Sequence, residues 1–302
     1  MKLPSKVKIV EMGPRDGLQN ESKIIPISTK IELINRLTNN GFGFIEAGSF
    51  VSPKWVPQMG DTAAVMNKIA RGPNTSYSVL VPNMTGFQAA VKASASEVAI
   101  FGAASETFSK KNINCSIQES LSRFKPVCEA ATEQGLPVRG YVSTVLDCPY
   151  EGEISPGNTA RVAELLYQMG CGEISLGDTT GRGTPRRAQD MIDAVAQSVP
   201  IEKIALHFHD TFGQALANIL ACMELGVAII DSSVAGLGGC PYAKGATGNV
   251  ATEDVLYMLH GLEIDTGINL DEVLDTVEFI SHALGKVPVS KVANAYTNGN
   301  SV

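Results

Sequence analysis

The chain has 302 residues, of which 44% are hydrophobic and 18% are charged. This apolar content is enough for a large buried core and excludes an intrinsically disordered chain. Lysine and arginine number 24 and aspartate and glutamate 31, so the net charge is −7. An acidic chain without a basic stripe argues against a nucleic-acid partner. No apolar run approaches the roughly 18–20 residues of a membrane helix, which argues against a membrane partner.

Cysteine spacing and the N-terminal segment bear on the cellular compartment. No two of the six cysteines are spaced as C-x-x-C, which argues against a structural zinc site. The segment Met1–Lys8 carries charge and runs directly into a predicted strand, so it does not resemble a secretory signal or a transit peptide. We therefore expect reduced thiols and a cytoplasmic location.

Eight short apolar segments alternate with segments of helical period. They are rich in valine and isoleucine and are bounded by glycine, proline or aspartate, which is typical of buried strands. The predicted strands are Val7–Glu11, Phe44–Ala47, Tyr77–Val81, Val98–Gly102, Val138–Thr144, Glu173–Leu176, Ile204–Phe208 and Ile229–Val234. The predicted helices lie near Ser28–Asn40, Asp61–Ala70, Thr85–Ser94, Ile117–Gln134, Pro156–Met169, Pro185–Ser198, Phe212–Leu225, Thr252–His260 and Asp271–Leu284.

This alternation predicts an α/β fold, a (β/α)8 TIM barrel. A doubly wound open sheet is the alternative, but that fold usually has fewer strands and needs a switch point. No linker, low-complexity tract or repeat divides the chain, so we expect one catalytic domain over residues 1–302 with a C-terminal helical extension from about residue 262. Thr184 before Pro185 predicts an N-cap at the start of a helix. In such a barrel, chemistry takes place where the strands end.

The first strand leads into the segment Glu11–Glu21, which contains Arg15 and Asp16. Glycine and proline in this segment are also typical of an ordinary polar turn. In a functional interpretation, Asp16 is a hard oxygen ligand or a base, and Arg15 is a fixed positive charge beside it.

The seventh strand ends in His207-Phe208-His209. Residues two apart on a strand point to the same face, so both imidazoles face one way and Phe208 faces the helix layer. A His-x-His pair at the end of a barrel strand indicates a metal site more often than a structural pair. A carboxylate, two imidazoles and a neutral oxygen suit Mg²⁺ or Mn²⁺, while residue type alone leaves zinc open.

The eighth strand leads into the glycine-rich segment Gly236–Asn249, with Cys240 at its centre. We expect a lid loop that closes over a site and brings a side chain with it, rather than a flexible linker. A phosphate-binding loop is a further alternative, but the G-x-x-x-x-G-K pattern is absent. Glu46, Asp178 and Arg139 lie near strand ends or starts, where a supporting role and a structural salt bridge are both open.

Taken together, these motifs resemble the 3-hydroxy-3-methylglutaryl-CoA lyase family, a metal-dependent branch of the TIM-barrel superfamily with Arg-Asp at strand one and Glu at strand two. The resemblance extends from Val10 to about Ala295. Arg-Asp-Gly and His-x-His indicate only the superfamily, whereas the segment from Gly238 to Gly245 is much more specific for the lyase branch.

The resemblance implies a role for each residue of these motifs. The implied metal ligands are Asp16, His207, His209 and Asn249, and the implied catalytic residues are Arg15, Asp16, His207 and Cys240. The implied supporting residues are Gln19, Glu46, Arg139, Asp178 and Glu253. Some animal members carry a regulatory cysteine near the C-terminus, and residues Asn294–Val302 contain none.

The implied reaction cleaves 3-hydroxy-3-methylglutaryl-CoA into acetoacetate and acetyl-CoA with a divalent metal, Mg²⁺ or Mn²⁺. In this reaction Asp16 takes the hydroxyl proton, Arg15 stabilises the thioester oxygen, and His207 or Cys240 protonates C2. Lys110 and Lys111 are expected in a short basic loop that either meets a CoA phosphate or is a solvated turn. A small acyl-CoA substrate and a homodimer are the expected partners.

Three other functions remain as alternatives. One is a related condensing enzyme of the isopropylmalate or homocitrate synthase type, and another is a 4-hydroxy-2-oxoacid aldolase. The third is a barrel that binds metal without catalysis, in which Arg15 and Cys240 would have no reason to face the metal.

Overall fold

A computed structural model describes residues 2–239 and 248–299 of the chain. Eight parallel strands form a closed barrel in which each strand pairs with its neighbours in sequence, and β8 pairs with β1 to close the ring. The predicted TIM barrel and all eight predicted strands are thereby confirmed. The strands are β1 Lys8–Glu11, β2 Phe44–Ser49, β3 Ser76–Leu80, β4 Glu97–Ala103, β5 Val138–Ser143, β6 Glu173–Asp178, β7 Ile204–Phe208 and β8 Ile229–Ser232.

The helices surround the barrel and follow the predicted order. They are α1 Ile27–Asn39, α2 Thr62–Lys68, α3 Met84–Lys92, α4 Glu106–Ile113, α5 Ile117–Glu133, α6 Pro156–Gln168, α7 Pro185–Val195, α8 Ala215–Met223, α9 Thr252–Gly261, α10 Leu270–Leu284 and α11 Lys291–Gly299. No helix within residues 2–239 and 248–299 is both long and apolar enough to cross a bilayer.

The prediction of a basic loop at Lys110 and Lys111 is wrong, because both residues lie in the last turn of α4. The hydroxyl of Ser105 accepts the backbone N–H of Phe108 and so caps the start of this helix. Lysines in the last turn favour a helix, since they face the negative end of its dipole. Asn114 then takes a left-handed conformation and ends it.

Two further local features differ from the prediction. A short antiparallel hairpin of Asp147–Cys148 with Gly152–Glu153 follows β5. Thr184 occupies the N-cap of α7 as predicted, but its side chain makes no capping hydrogen bond. The proline at the first position of α7 suits the helix start on its own, because its φ angle is already helical.

The strands separate two environments. Side chains that point outward, such as Ile45, Leu206 and Phe208, are fully buried against the helices. Each buried residue of this size contributes about 1.5–3 kcal/mol to folding. The barrel interior holds a smaller apolar cluster that includes Met12 and Tyr141, and it also contains polar and charged side chains. The outward orientation of Phe208 confirms the predicted alternation along β7.

The segment between α10 and α11 contacts two loops at the carboxyl end of the barrel. The ammonium of Lys286 pairs with Glu21, 2.6 Å from Oε2, at the end of the turn that follows β1. The backbone N–H of Val289 donates to the carbonyl of Ala235, 3.3 Å away, just before the glycine-rich segment. The C-terminal part of the chain therefore supports the loops that carry the candidate site.

Candidate active site

The turn after β1 is a π-helical turn, Gly13–Gly17, which presents Arg15 and Asp16. The carboxylate of Glu11 holds it in place by accepting the N–H of Gly13 at 2.7 Å and the N–H of Val234 at 2.9 Å. Burial raises the pKa of Glu11 from 4.5 to about 7. Sequence reasoning assigned Glu11 no role, although a carboxylate that ends an apolar strand was a usable signal.

Arg15 lies between two carboxylates at the carboxyl end of the barrel and is only 7% exposed. Its Nε donates to Glu46, which lies on β2, and its Nη1 donates to Asp16. The guanidinium carbon also lies 5.5 Å from the centre of the Tyr141 ring. Burial raises the pKa of Glu46, while the charge of Arg15 opposes that rise. These contacts fix the guanidinium, so its position does not depend on a substrate.

Asp16 converges with His207 on β7 and with His209, which directly follows that strand, and one ligand atom of each lies within 4.8 Å of the others. The ring centres of His207 and His209 are 5.6 Å apart, so the two imidazoles share one face of the strand. Asn249 pairs with His209 across a backbone bridge, and its Nδ2 donates to Asp16 Oδ2 at 2.8 Å. Four side chains from three segments that are distant in sequence thus meet at one point.

The charge states in this cluster suit a divalent cation. Burial would raise the pKa of Asp16, but the charge of Arg15, with smaller effects of the neighbouring histidines and of the hydrogen bond from Asn249, outweighs it and lowers the pKa to about 2. Burial and the neighbouring imidazole of His207 lower the pKa of His209 to about 4, so its ring is neutral near pH 7. A neutral imidazole and an ionised carboxylate are the forms that bind metals.

Unpaired atoms in the cluster provide a second indication of a cation. Asn249 Oδ1 and His209 Nδ1 are both buried, and neither has a hydrogen-bond partner among the described residues. A buried polar atom without a partner costs about 1–3 kcal/mol, so such atoms are rare unless something binds them. The residues therefore fit a metal ion held by a carboxylate, imidazoles and an amide oxygen.

The two stems of the glycine-rich segment contact one another beside this cluster. A Cβ on Gly248 would lie 2.8 Å from the backbone nitrogen of Gly238, so only glycine allows the two stems to pass. Asn20 Nδ2 donates to the carbonyl of Gly239 at 2.8 Å, which joins the first stem to the turn after β1. Cys240 and the rest of the predicted lid up to residue 247 lie outside the described residues.

Gln19, Asp178 and the two lysines of α4 are further predicted site residues, and none of them belongs to the metal cluster. Gln19 is half-buried at the end of the turn after β1. The carboxylate of Asp178 accepts the N–H of Gly183 at 2.8 Å and so stabilises the turn after β6, and burial raises its pKa to about 6. Lys110 and Lys111 lie on the surface of α4, with the Lys111 ammonium 4.6 Å from the centre of the Tyr150 ring.

Arg139 and two residues without a predicted role form a polar layer directly beneath the cluster. Arg139 is 1% exposed and donates to Asp231, to Tyr141 and to Glu173. Tyr141 in turn donates to Glu46 at 3.2 Å, and Asp231 lies 3.1 Å from Nδ1 of His207. The signal for Asp231 was a carboxylate inside the apolar strand Ile229–Val234. Its partners lie on other strands, however, and sequence alone does not identify them.

Glu253 is fully buried at the start of α9 and supports the stem of the glycine-rich segment. Its Oε2 accepts the N–H of Ala235 at 3.1 Å, while its Oε1 has no partner among the described residues. Burial raises its pKa from 4.5 to about 8. The folded chain therefore keeps a proton here at pH values at which the unfolded chain has lost it.

This shift predicts a pH-dependent stability. The contribution of protonated Glu253 to the free energy of unfolding is fully present below about pH 4.5 and is lost as the pH rises through about 8. The loss occurs because the buried carboxyl then has to carry a charge. Glutamine has nearly the same shape and stays neutral. We expect the Tm, measured by thermal shift, to decrease between pH 5 and 8 in both proteins, but less in the Glu253→Gln variant than in the wild type. The two decreases should differ by about 2–4 °C. Glu133→Gln on the surface is the control, and parallel curves for all three proteins would contradict this assignment.

Comparison with known proteins places the chain in a family. The HMGL-like family matches residues 6–280. The mitochondrial hydroxymethylglutaryl-CoA lyase of Bos taurus is 61% identical over 97% of this chain and 90% of its own length. The crystal structure of hydroxymethylglutaryl-CoA lyase from Pseudomonas aeruginosa is 56% identical and superimposes with a TM-score of 0.97, covering 99% of this chain and all of its own.

A further solved structure contains ligands. It is an HMG-CoA lyase from Acinetobacter baumannii in complex with coenzyme A and 3-methylmalate, which is 36% identical with a TM-score of 0.93 and covers 98% of this chain and 96% of its own. The barrel, the clustered side chains at its carboxyl end and these similarities agree with one another. The chain belongs to the HMGL-like family, within which it groups with the hydroxymethylglutaryl-CoA lyases.

Proposed function

We propose that this enzyme cleaves (S)-3-hydroxy-3-methylglutaryl-CoA into acetoacetate and acetyl-CoA by a metal-assisted retro-Claisen reaction. The observation that carries the proposal is the convergence of Asp16, His207 and His209 beside a fixed Arg15 in a member of this lyase family. Cleavage requires the C3 hydroxyl to lose a proton, the thioester oxygen to tolerate negative charge, and C2 to gain a proton.

Four side chains would hold the metal, for which Mg²⁺ and Mn²⁺ are the best candidates. Asp16, His207, His209 and Asn249 offer a carboxylate oxygen, two imidazole nitrogens and an amide oxygen, a set that suits these ions. When bound, the dication would orient the hydroxyl and carboxylate oxygens of the substrate and make the hydroxyl more acidic.

Asp16 accepts the hydroxyl proton in this proposal. Its pKa is lowered to about 2, so the carboxylate is ionised at neutral pH but is a weak base, and it accepts the proton because a bound dication would make the hydroxyl more acidic. The same low pKa makes the protonated form short-lived, and the proton passes on to solvent or to a nearby base. Arg15 and Asn249 hold the carboxylate from two sides and so keep its oxygens directed at the site.

Arg15 stabilises the charge that develops on the thioester oxygen. Glu46 and Asp16 engage its Nε and Nη1, and Nη2, which has no acceptor among the described residues, would reach the substrate. A guanidinium is always charged and is planar, and its low exposure strengthens each hydrogen bond that it donates. One such contact lowers the barrier by about 2.7–4 kcal/mol.

Cys240 is the proton donor to C2 that best agrees with the contacts of His207. Nδ1 of His207 faces Asp231, so only Nε2 is available, and a nitrogen that holds a metal cannot carry a proton at the same time. The thiol of Cys240 then gives its proton to C2 as the C2–C3 bond breaks and becomes a thiolate. The proton released at Asp16 restores the thiol through solvent after the products leave, so the protons balance.

A substitution separates the thiol from the imidazole as the donor. We expect Cys240→Ser to fold normally and to lower kcat by about 10²–10⁴-fold, the range for loss of a general acid. Cys115→Ser, which removes a buried thiol after α4, is the matched control and should keep the wild-type kcat. A Cys240→Ser enzyme that turns over at the wild-type rate would assign proton donation to His207.

A direct assay tests the activity itself. Acetoacetate should form from 3-hydroxy-3-methylglutaryl-CoA when Mg²⁺ or Mn²⁺ is present, and its formation should stop when EDTA is added. The same preparation is also given acetyl-CoA with a 2-oxo acid, and separately a 4-hydroxy-2-oxoacid. If 3-hydroxy-3-methylglutaryl-CoA is not cleaved, turnover of acetyl-CoA with the 2-oxo acid would indicate a condensing enzyme, and turnover of the 4-hydroxy-2-oxoacid would indicate an aldolase. Metal binding without turnover of any substrate would indicate a metal-binding barrel.

Three further properties belong to the same proposal. We place the CoA phosphates near the exposed ammonium groups of Lys110 and Lys111, and we infer a homodimer that works in the cytoplasm. The KM for the acyl-CoA should rise in a Lys110→Ala, Lys111→Ala double variant without a change in kcat. Native mass spectrometry measures the oligomeric state, and cell fractionation measures the compartment.

A further inference from the structure

A buried carboxylate that the proposed reaction does not use lies beneath the metal cluster. Asp231 lies on β8 and is 1% exposed. Its Oδ2 accepts hydrogen bonds from Ser175 Oγ at 2.8 Å and from Arg139 Nη1 at 2.9 Å, and it also lies 3.1 Å from Nδ1 of His207. Its Oδ1 accepts from Arg139 Nη2 at 2.7 Å.

We propose that Asp231 is a positioning residue that accepts the Nδ1–H of His207 and thereby keeps Nε2 free of a proton and directed at Asp16. An imidazole nitrogen can bind a metal only when it carries no proton, and the hydrogen bond at the other nitrogen decides which one is free. Nε2 of His207 lies 3.7 Å from Asp16 Oδ2, on the side of the metal cluster. The contact at Nδ1 therefore selects the form of the ring that the site needs.

In its contact with His207, Asp231 can only accept a hydrogen bond and cannot donate one. Among the described residues, every other group that contacts its two oxygens is a donor, namely the two Nη groups of Arg139 and the hydroxyl of Ser175. Arg139 is permanently charged and keeps the carboxylate in its anionic form. An anion held in this way cannot donate to Nδ1, so the proton between the two groups belongs to the ring.

The same polar layer fixes the position of Asp231 relative to the rest of the site. The guanidinium of Arg139 is also held by Glu173, at 2.6 Å, and by the hydroxyl of Tyr141, at 2.9 Å. Tyr141 contacts Glu46, which holds Arg15. A continuous set of contacts thus connects the imidazole on β7 with the arginine after β1.

A purely structural role for Asp231, the neutralisation of Arg139, predicts different results. Asp231→Asn keeps the size of the side chain but places an amide where a carboxylate accepts four hydrogen bonds. Glu173→Gln is the matched control, since Glu173 also pairs with Arg139 but makes no contact with His207 among the described residues. A structural role would make the two variants alike, whereas a positioning role separates them.

The experiment measures the ring protonation directly in the metal-free chain labelled with ¹⁵N-histidine. Among the four histidines, the signals of His207 are assigned by their loss in a His207→Gln variant. We expect wild-type His207 to carry its proton on Nδ1 and Asp231→Asn to move the proton to Nε2 or to a mixture of both. The affinity for Mn²⁺, measured by calorimetry, should fall about 10–100-fold in Asp231→Asn, as is typical for partners of metal ligands. Glu173→Gln should leave both properties unchanged.

Two outcomes overturn the inference. One is a wild-type His207 ring with its proton on Nε2, which needs no variant and so stands even if Asp231→Asn does not fold. The other is the same ring form and Mn²⁺ affinity in Asp231→Asn as in the wild type. The inference rests on the proposed function, but its first readout is the position of the proton on the His207 imidazole and not turnover. Failure of the lyase activity and failure of this inference are therefore seen separately.

Discussion

Replacing Arg15 with methionine is expected to lower kcat by about 10²–10³-fold, the range for loss of one donor to a developing oxyanion. Methionine fills much of the same space but cannot donate a hydrogen bond to the thioester oxygen. The metal content should stay at the wild-type level, because Arg15 is not one of the candidate ligands. Acetoacetate formation measures kcat, and elemental analysis measures the metal.

The fold should tolerate this substitution. Arg15→Met leaves Glu46 buried without its cationic partner, but burial already raises the pKa of that carboxyl, so it can take up a proton and become neutral. Arg36→Met is the control, since Arg36 pairs with Glu32 on the exposed side of α1. A kcat within threefold of the wild type would remove Arg15 from the reaction.

Replacing His209 with alanine is expected to weaken Mn²⁺ binding by more than the 10–100-fold that is typical when only a partner of a ligand is lost. His209 is 5% exposed and neutral near pH 7, so in the folded chain its ring is already in the form that binds a metal. Turnover at saturating substrate should fall with metal occupancy and recover in part at high Mn²⁺ concentration.

Calorimetry with Mn²⁺ alone measures this affinity without a substrate. His260→Ala is the matched control, because His260 is exposed on α9 and lies outside the metal cluster. Equal affinities of the His209→Ala variant and the wild type would exclude His209 as a ligand. The cluster would then reduce to Asp16, His207 and Asn249.

The barrel was predictable because each strand carries a local signal. Valine- and isoleucine-rich segments between glycine, proline or aspartate predicted the strands, and the two-residue period of β7 correctly placed both histidines on one face. Helix α4 was missed because its eight residues include few apolar ones, so its start depends on the cap at Ser105 and not on a hydrophobic period.

The polar layer beneath the site could not be predicted from the sequence. Arg139 lies on β5 and Asp231 on β8, and these strands are not neighbours in the ring. Their contact exists only because a closed barrel directs alternate side chains of all its strands into one interior. The pattern of one strand is therefore enough to identify His207, whereas its partner can be identified only when the closed ring of strands is known.

The contact between Gly238 and Gly248 holds the two ends of the intervening segment together. The two stems already touch, so the cost of closing the loop between them depends only weakly on its length. The length of that segment can therefore change, with Cys240 retained, while Asn249 stays next to His209.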